Sequence, residues 1–339
     1  MRRAPLILIV ITACSSIPQN STHTFTIAPQ SSNTLASLRG LSVVDENVVW
    51  ASGSAGTVLR TTNGGRAWEL RSVPQADSLD FRDVEAFDSL HAYVLSAGED
   101  GRIYYTNNGG ASWTLQFRNE IKGAFFDCLD FYDRSNGIAL SDPVANRYLL
   151  LATTNGSAWS PLPERGRPQA NTGEAAFAAS GTCLTIAGER TYLASGGGPS
   201  ARVFVSADRG ASWQAVETPV PAKQPSAGIF ALAFRDAQNG IAMGGDYQNP
   251  QQESVVAVTS DGGVTWSAAG RTPYTSGAAW SGSGASLLAV GTPGTRLSRD
   301  HALTWMAIDT VEYNAVQFAS ERVAYAVGPR GKIAQLLRR

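Results

Sequence analysis

Thr62-Asn63-Gly64-Gly65-Arg66-Ala67-Trp68 decides the fold, because the segment has five relatives in the same chain. The order is a hydroxyl or small residue, Asn or Asp, a turn and then Trp. It returns as Asn107-Asn108-Gly109-Gly110-Ala111-Ser112-Trp113 and Thr154-Asn155-Gly156-Ser157-Ala158-Trp159. Ala207-Asp208-Arg209-Gly210-Ala211-Ser212-Trp213, Ser260-Asp261-Gly262-Gly263-Val264-Thr265-Trp266 and Arg299-Asp300-His301-Ala302-Leu303-Thr304-Trp305 complete the set. The tryptophans follow one another at 45, 46, 54, 53 and 39 residues, and six of the chain's eight fall in this slot. A period of this length marks a repeat architecture, not a pair of ordinary domains. The physics of each copy is that of a hairpin turn. Asn63, Asn108, Asn155, Asp208, Asp261 and Asp300 can each accept from backbone amides two residues on, as in an Asx turn. Glycine supplies the positive φ. Trp68, Trp113, Trp159, Trp213, Trp266 and Trp305 are large enough to anchor one sheet on the next, burying about 200 Å² each.

Between these turns a strand triplet repeats. It reads Leu41-Ser42-Val43-Val44, Val48-Val49-Trp50-Ala51-Ser52-Gly53 and Thr57-Val58-Leu59-Arg60 in the first copy. The second reads Val84-Glu85-Ala86-Phe87, Ala92-Tyr93-Val94-Leu95-Ser96-Ala97-Gly98 and Arg102-Ile103-Tyr104-Tyr105. Later copies are expected to begin near Cys128, Ala175, Ile229, Ala278 and Ala315. Alternation with period two between turn residues predicts short antiparallel strands. Three strands, the turn and a fourth strand after Trp make one blade of a β-propeller. The seventh copy, ending near Lys332-Ile333-Ala334-Gln335, has no turn after it and lacks a fourth strand. Thr24-Phe25-Thr26-Ile27 is an orphan strand ahead of blade one. Placed as the outer strand of blade seven, it removes an open edge that a sheet must otherwise protect. The expectation is an all-β, seven-bladed propeller with four-stranded antiparallel blades, closed by an N-terminal strand; this closure is what separates seven blades from six or eight.

The turn resembles the Asp box, or BNR repeat, of sialidase-like propellers. Over residues 35–339 the triplet plus turn resembles the Ycf48/HCF136-like family, which comprises photosystem II assembly factors and their non-photosynthetic bacterial relatives. That resemblance implies the propeller fold. Propellers host unrelated activities, so it does not transfer a function. Photosynthetic members bind partner proteins through a basic patch; no dense Arg cluster is visible here, and that role is not carried over. Sialidases carry a Phe-Arg-Ile-Pro segment. The nearest string here is Phe81-Arg82-Asp83, so sialidase activity is not expected.

The start of the chain reads as an address. Arg2 and Arg3 precede the apolar run Leu6–Ile11, and Ile11-Thr12-Ala13-Cys14 resembles a bacterial lipobox. The run is too short for a spanning helix and suits a signal peptide. Residues 1–13 are thus expected to be a leader. Residues 14–37 would form a Ser/Thr/Pro-rich tether with the closing strand near 24–27, and 38–339 one propeller domain. Acyl chains on Cys14 would anchor the chain at about 0.8 kcal/mol per buried methylene. The expected location is extracytoplasmic, facing the periplasm or outer membrane, with the lipid as the sole membrane contact. A net charge of −1 over 339 residues provides no global basic field for nucleic acid, and a monomer is expected.

Chemistry is sought where the repeat is broken, in blades three to five. Asp127, Asp142, Glu174 and Asp246 are the candidates for a shared acidic pocket at the propeller axis. Asp130, Ser141, Arg202, Ser226 and Tyr247 are ligand-binding candidates beside them. Paired carboxylates could serve as acid and base on a glycosidic bond or hold Ca²⁺ through oxygens; they could equally tie loops through Asx bonds. No cofactor is expected. Gly282-Ser283-Gly284 lacks a dinucleotide context, and His23, His91 and His301 are too few and too scattered for a metal site or a triad. Cys128 and Cys183 fall in neighbouring blades; free buried thiols are the leading expectation, with a disulfide as the alternative after export. The reading that follows is a binding or assembly scaffold for an envelope protein or glycan, with a glycoside hydrolase as its rival.

Overall fold

The computed structural model describes residues 25–339. The leader, Cys14 and the first part of the tether lie outside them. The described chain forms seven four-stranded antiparallel sheets. Blade one runs Leu38–Val43, Val49–Gly53, Val58–Thr61 and Glu69–Leu70, and blade two Phe81–Ala86, Ala92–Ser96, Arg102–Thr106 and Thr114–Arg118. Blades three to six repeat this order, with inner strands Phe126–Asp133, Leu184–Ala187, Ala227–Phe234 and Gly277–Trp280. Blade seven takes Ala315–Phe318, Val323–Val327 and Ile333–Arg338 from the end of the chain and Phe25–Gln30 from its beginning. The closing strand pairs over six residues, from Phe25 opposite Arg338 to Gln30 opposite Ile333. It is two strand-positions longer than the sequence pattern implies. The stretch that follows, read as the end of a tether, packs on the ring: Ser32 donates to the Gly331 carbonyl at 2.6 Å and the Gly331 amide donates to Ala36 at 2.7 Å.

Each repeated turn links the third and fourth strands of its blade. In blade one the Asn63 side chain accepts from the Ala67 amide at 3.0 Å, and the Thr61 hydroxyl accepts from the Gly65 amide at 2.9 Å. The hydroxyl that closes the loop is therefore one residue ahead of the window the sequence singles out. Thr106, Ser206, Thr259 and Ser298 repeat that bond in their own turns. In blade six His301 and Ala302 take the positive φ, 57° and 67°, that Gly64 and Gly65 supply in blade one.

The tryptophans seam the blades together. Trp68 donates its indole N–H to Gln30 of blade seven at 3.0 Å, Trp113 to the Arg71 carbonyl of blade one at 3.1 Å, and Trp159 to Gln116 of blade two at 3.1 Å. Trp213 turns back to its own Gly210 carbonyl, and the indole nitrogens of Trp266 and Trp305 have no partner. A second pin crosses some of the same seams. Tyr93 and Tyr192, each in the second strand of its blade, donate to the Gly156 and Gly262 carbonyls of the following blade's turn, at 2.7 and 3.1 Å. Tyr325 reaches the Glu46 carbonyl of blade one at 2.8 Å.

Two expectations are corrected. Cys128 and Cys183 are joined in a disulfide, with their Cα atoms 6.2 Å apart, not left as free thiols. Bridges of this kind contribute about 2–4 kcal/mol. Blade four begins at Leu184, not near Ala175. The apolar run Ala175–Ala179 looks like an inner strand, but it and residues 180–182 run down the central channel, where its alanines fit and Phe177 stacks on Phe230. Ala175–Ala179 line one end of the channel and Ser180, Gly181 and Thr182 the other.

The uneven seams predict unequal tryptophans. Trp68→Phe should lower the unfolding free energy by about 1 kcal/mol more than Trp266→Phe, the net value of one hydrogen bond. Urea midpoints of the two variants measure this. Equal losses would mean that the Gln30 bond contributes nothing.

Candidate functional site

The channel has two mouths, separated by the Ala175–Thr182 segment. This stopper is held from most sides of the ring. Arg82 of blade two donates to the Ala178 carbonyl and Arg39 of blade one to the Ala179 carbonyl, each at 3.3 Å. Asp142 of blade three accepts from the Ala176 amide at 2.8 Å. The Ser180 hydroxyl donates to the Ser276 carbonyl at 2.7 Å, and the Thr182 carbonyl accepts from the Leu232 amide at 3.0 Å. Gly181 passes so close to blade two that a Cβ on it would lie 2.3 Å from an Asp83 carboxylate oxygen.

One mouth is a cavity of about 550 Å³, a size typical of small-molecule sites, roughly 300–1,000 Å³. Its wall is made by a repeated irregularity. In blades one, two, three and five the pairing of the first two strands skips one residue: between Leu38 and Gly40, Phe81 and Asp83, Phe126 and Cys128, and Ile229 and Ala231. The skipped residues are Arg39, Arg82, Asp127 and Phe230, and all four line the cavity. A β-bulge re-aims a side chain in this way. Asp142, Tyr247, Tyr274 and Glu312 add to the polar lining, with Ser276, Thr292 and Asn314.

The sequence candidates divide accordingly. Asp127, Asp142 and Tyr247 are brought together in this cavity. Glu174 is not: its side chain is buried between blades, where it accepts from Arg202 and from the Ser195 hydroxyl and the Asn171 amide at 2.5 and 2.7 Å. Arg202 is thereby occupied, and it also stacks on Phe204. Asp246 caps its own turn, accepting from the Gln248 amide at 2.9 Å and the Asn249 side chain at 2.7 Å, and lines a separate groove between blades four and five. Ser226 is buried under that turn. Ser141 is fully buried and accepts from the Phe125 amide at 2.9 Å. Asp130 faces the opposite mouth with Asp83 and Glu85, its oxygens accepting from the Phe131 and Ile186 amides. Among the described residues no three His, Cys, Asp or Glu side chains converge as a metal site. Sequence reasoning missed Arg39, Arg82, Tyr274 and Glu312. The available signal was an odd polar residue at one register of the inner strand, as in Leu38-Arg39-Gly40 and Phe81-Arg82-Asp83.

Asp127 is the unusual group. It is 1% exposed, and neither carboxylate oxygen has a hydrogen-bond partner. The Asp142 amide beside it is spent on the Phe125 carbonyl at 2.9 Å. Burial pushes the Asp127 carboxyl well above the usual carboxylate range, and neighbouring Asp142 adds to this while Arg82 opposes it. Asp142 is pushed up to about 6, again by burial, against the pull of the Ala176 amide. Proton uptake is therefore shared by the pair.

A carboxyl whose pKa rises on folding stabilises the fold when protonated, and that stability is lost as pH climbs from the unfolded value near 3.8 through the folded one. Asp127→Asn removes this loss. Its melting temperature relative to the parent should therefore rise between pH 4 and pH 8, by about 1–2 °C for each kcal/mol recovered in a chain of this size. A difference that stays constant across that range would show that Asp127 carries no buried charge.

No family model and no curated protein sequence matches this chain. Solved structures do. One described as YCF48 bound to D1 peptide has a TM-score of 0.67 at 13% identity, covering 97% of this chain and 99% of that one. YCF48 from Cyanidioschyzon merolae has a TM-score of 0.66 at 15% identity, covering 93% and 99%. An ancestral GH74 enzyme has a TM-score of 0.64 at 15% identity over 91% of this chain and 46% of that chain. At these identities the likeness is one of fold, and the chain has the seven-bladed propeller fold of the solved YCF48 structures.

Proposed function

We propose that this chain is a binding propeller of the cell envelope, anchored through Cys14, which presents the Arg39–Tyr247 mouth of its channel to a protein or glycan partner. The observation that carries this reading is the cavity itself. It is concave, walled by four re-aimed side chains and closed beneath by the chain's own Ala175–Thr182 segment. Such a cup holds a guest and conducts nothing. Use of the fold for binding is supported by the YCF48 structure described as bound to a D1 peptide. The test is photo-crosslinking in intact cells from a probe at Tyr247, with a control probe at the exposed Leu115 on the outer strand of blade two. Adducts from Tyr247 alone are expected, and they should be lost on Cys14→Ala, which releases the chain from its anchor. Equal labelling from both probes, or from neither, would count against it.

One observation favours a second reading, a glycoside hydrolase. Asp127 and Asp142 share the cavity, and both carboxyls titrate high, as a general acid requires. Glu174 and Asp246 leave this scheme because each is committed to partners elsewhere. If the pair is catalytic, reducing ends should accumulate on incubation with envelope glycans and fall at least about 100-fold in either Asp→Asn variant. A signal unchanged in both would retire the enzyme.

A further inference from the structure

The cavity leaves unused the groups that a sugar uses. Asp127 lines this cavity from a position that is 1% exposed, and neither oxygen of its carboxyl has a hydrogen-bond partner. A buried polar group left unpaired is costly, so a ligand hydroxyl placed there is favoured. On the two preceding blades, one and two, stand two guanidiniums, each with five N–H donors. Arg39 gives a hydrogen bond to Ala179, and Arg82 gives hydrogen bonds to Asp80 and Ala178. The geometry leaves each with donors to spare. Among the described residues the exposed large aromatic side chains are Phe125 and Tyr247, at 37% and 49%, and both line this one cavity. Tyr247 is braced edge-to-face on Phe230, with ring centroids 6.1 Å apart.

These leftovers discriminate between ligand classes. A peptide would bring backbone carbonyls for the arginines and an amide for Asp142. Those contacts are already made by the stopper's own backbone, at Ala178, Ala179 and Ala176. What remains is a bare carboxyl, surplus N–H groups and exposed rings. A pyranose matches that set. Each hydroxyl both donates and accepts, so neighbouring hydroxyls can bridge a carboxyl and a guanidinium, while the C–H face of the ring packs on an aromatic.

We infer that this mouth is a carbohydrate site, where a neutral sugar of a glycan lies against Tyr247 and Phe125, donates to Asp127 and accepts from Arg39 and Arg82. The inference rests on the reading of the mouth as the binding surface and names its ligand class. Calorimetric titration of the full chain in detergent with β-1,4-glucose, β-1,4-N-acetylglucosamine and α-1,4-glucose oligosaccharides tests it, beside a pool of random dodecamer peptides. At least one sugar series should bind saturably. Its Kd should weaken by about tenfold or more in Tyr247→Ala, a surface change that leaves the core intact, and in Asp127→Asn. Silence from all three series, or binding that both variants leave unchanged, would overturn the carbohydrate assignment. Tyr247-dependent binding of peptides without sugars would overturn it too, while leaving the binding-propeller reading in place. Loss of that reading would show separately, as absent cross-links from Tyr247 in cells.

Discussion

Everything in this molecule depends on one strand arriving from the wrong end of the chain. Seven twisted sheets can share an axis only if each packs on two neighbours, and the seventh sheet lacks its outer strand until Phe25–Gln30 pairs with Ile333–Arg338. That pairing also places Gln30 where Trp68 of blade one can bond it. The residue that closes blade seven therefore also seams blade seven to blade one. Ser32 and Ala36 add bonds to the Gly331 turn just beyond it. The local hairpins are cheap to form, but the ring is a contact between residues some 300 positions apart in sequence, and its loop-closure entropy is met by this cluster.

Much of the architecture was legible because the repeat is written in residues with a direct conformational meaning. An Asn or Asp, a positive-φ glycine and a Trp at fixed offsets specify a turn and an anchor with little help from context. Context decided the rest. Ala175-Ala176-Phe177 is an apolar run such as opens an inner strand, and only the tertiary structure sends it down the axis in place of the sheet. The disulfide follows from the same displacement, since Cys183 sits just ahead of the true first strand of blade four and opposite Cys128. The candidate site was half legible. Asp127 and Asp142 stood out as breaks in the repeat, yet so did Glu174 and Asp246, which serve the scaffold through Arg202 and through a capped turn. Sequence pattern marks a departure from the repeat but does not show which departures face the axis.

The bulges explain what was missed. Arg39 and Arg82 sit inside strands whose pattern looks ordinary, and a regular strand would have turned them toward a neighbouring sheet. One extra residue in the ladder aims them at the channel instead. The wall is thus a product of register, a property of paired strands that a single strand's sequence carries weakly. It also puts guanidiniums and carboxyls on neighbouring blades around one small space. Such a mixture neutralises the mouth as a whole while leaving separate donors and acceptors free.

The stopper gives the site a single door. A guest that enters between Phe125 and Tyr247 must leave the same way, because Ala175–Thr182 closes the route to the opposite face. Any large molecule that then settles over that mouth traps the guest beneath it. Release becomes ordered, last in and first out, and a weakly held guest acquires the residence time of whatever covers it.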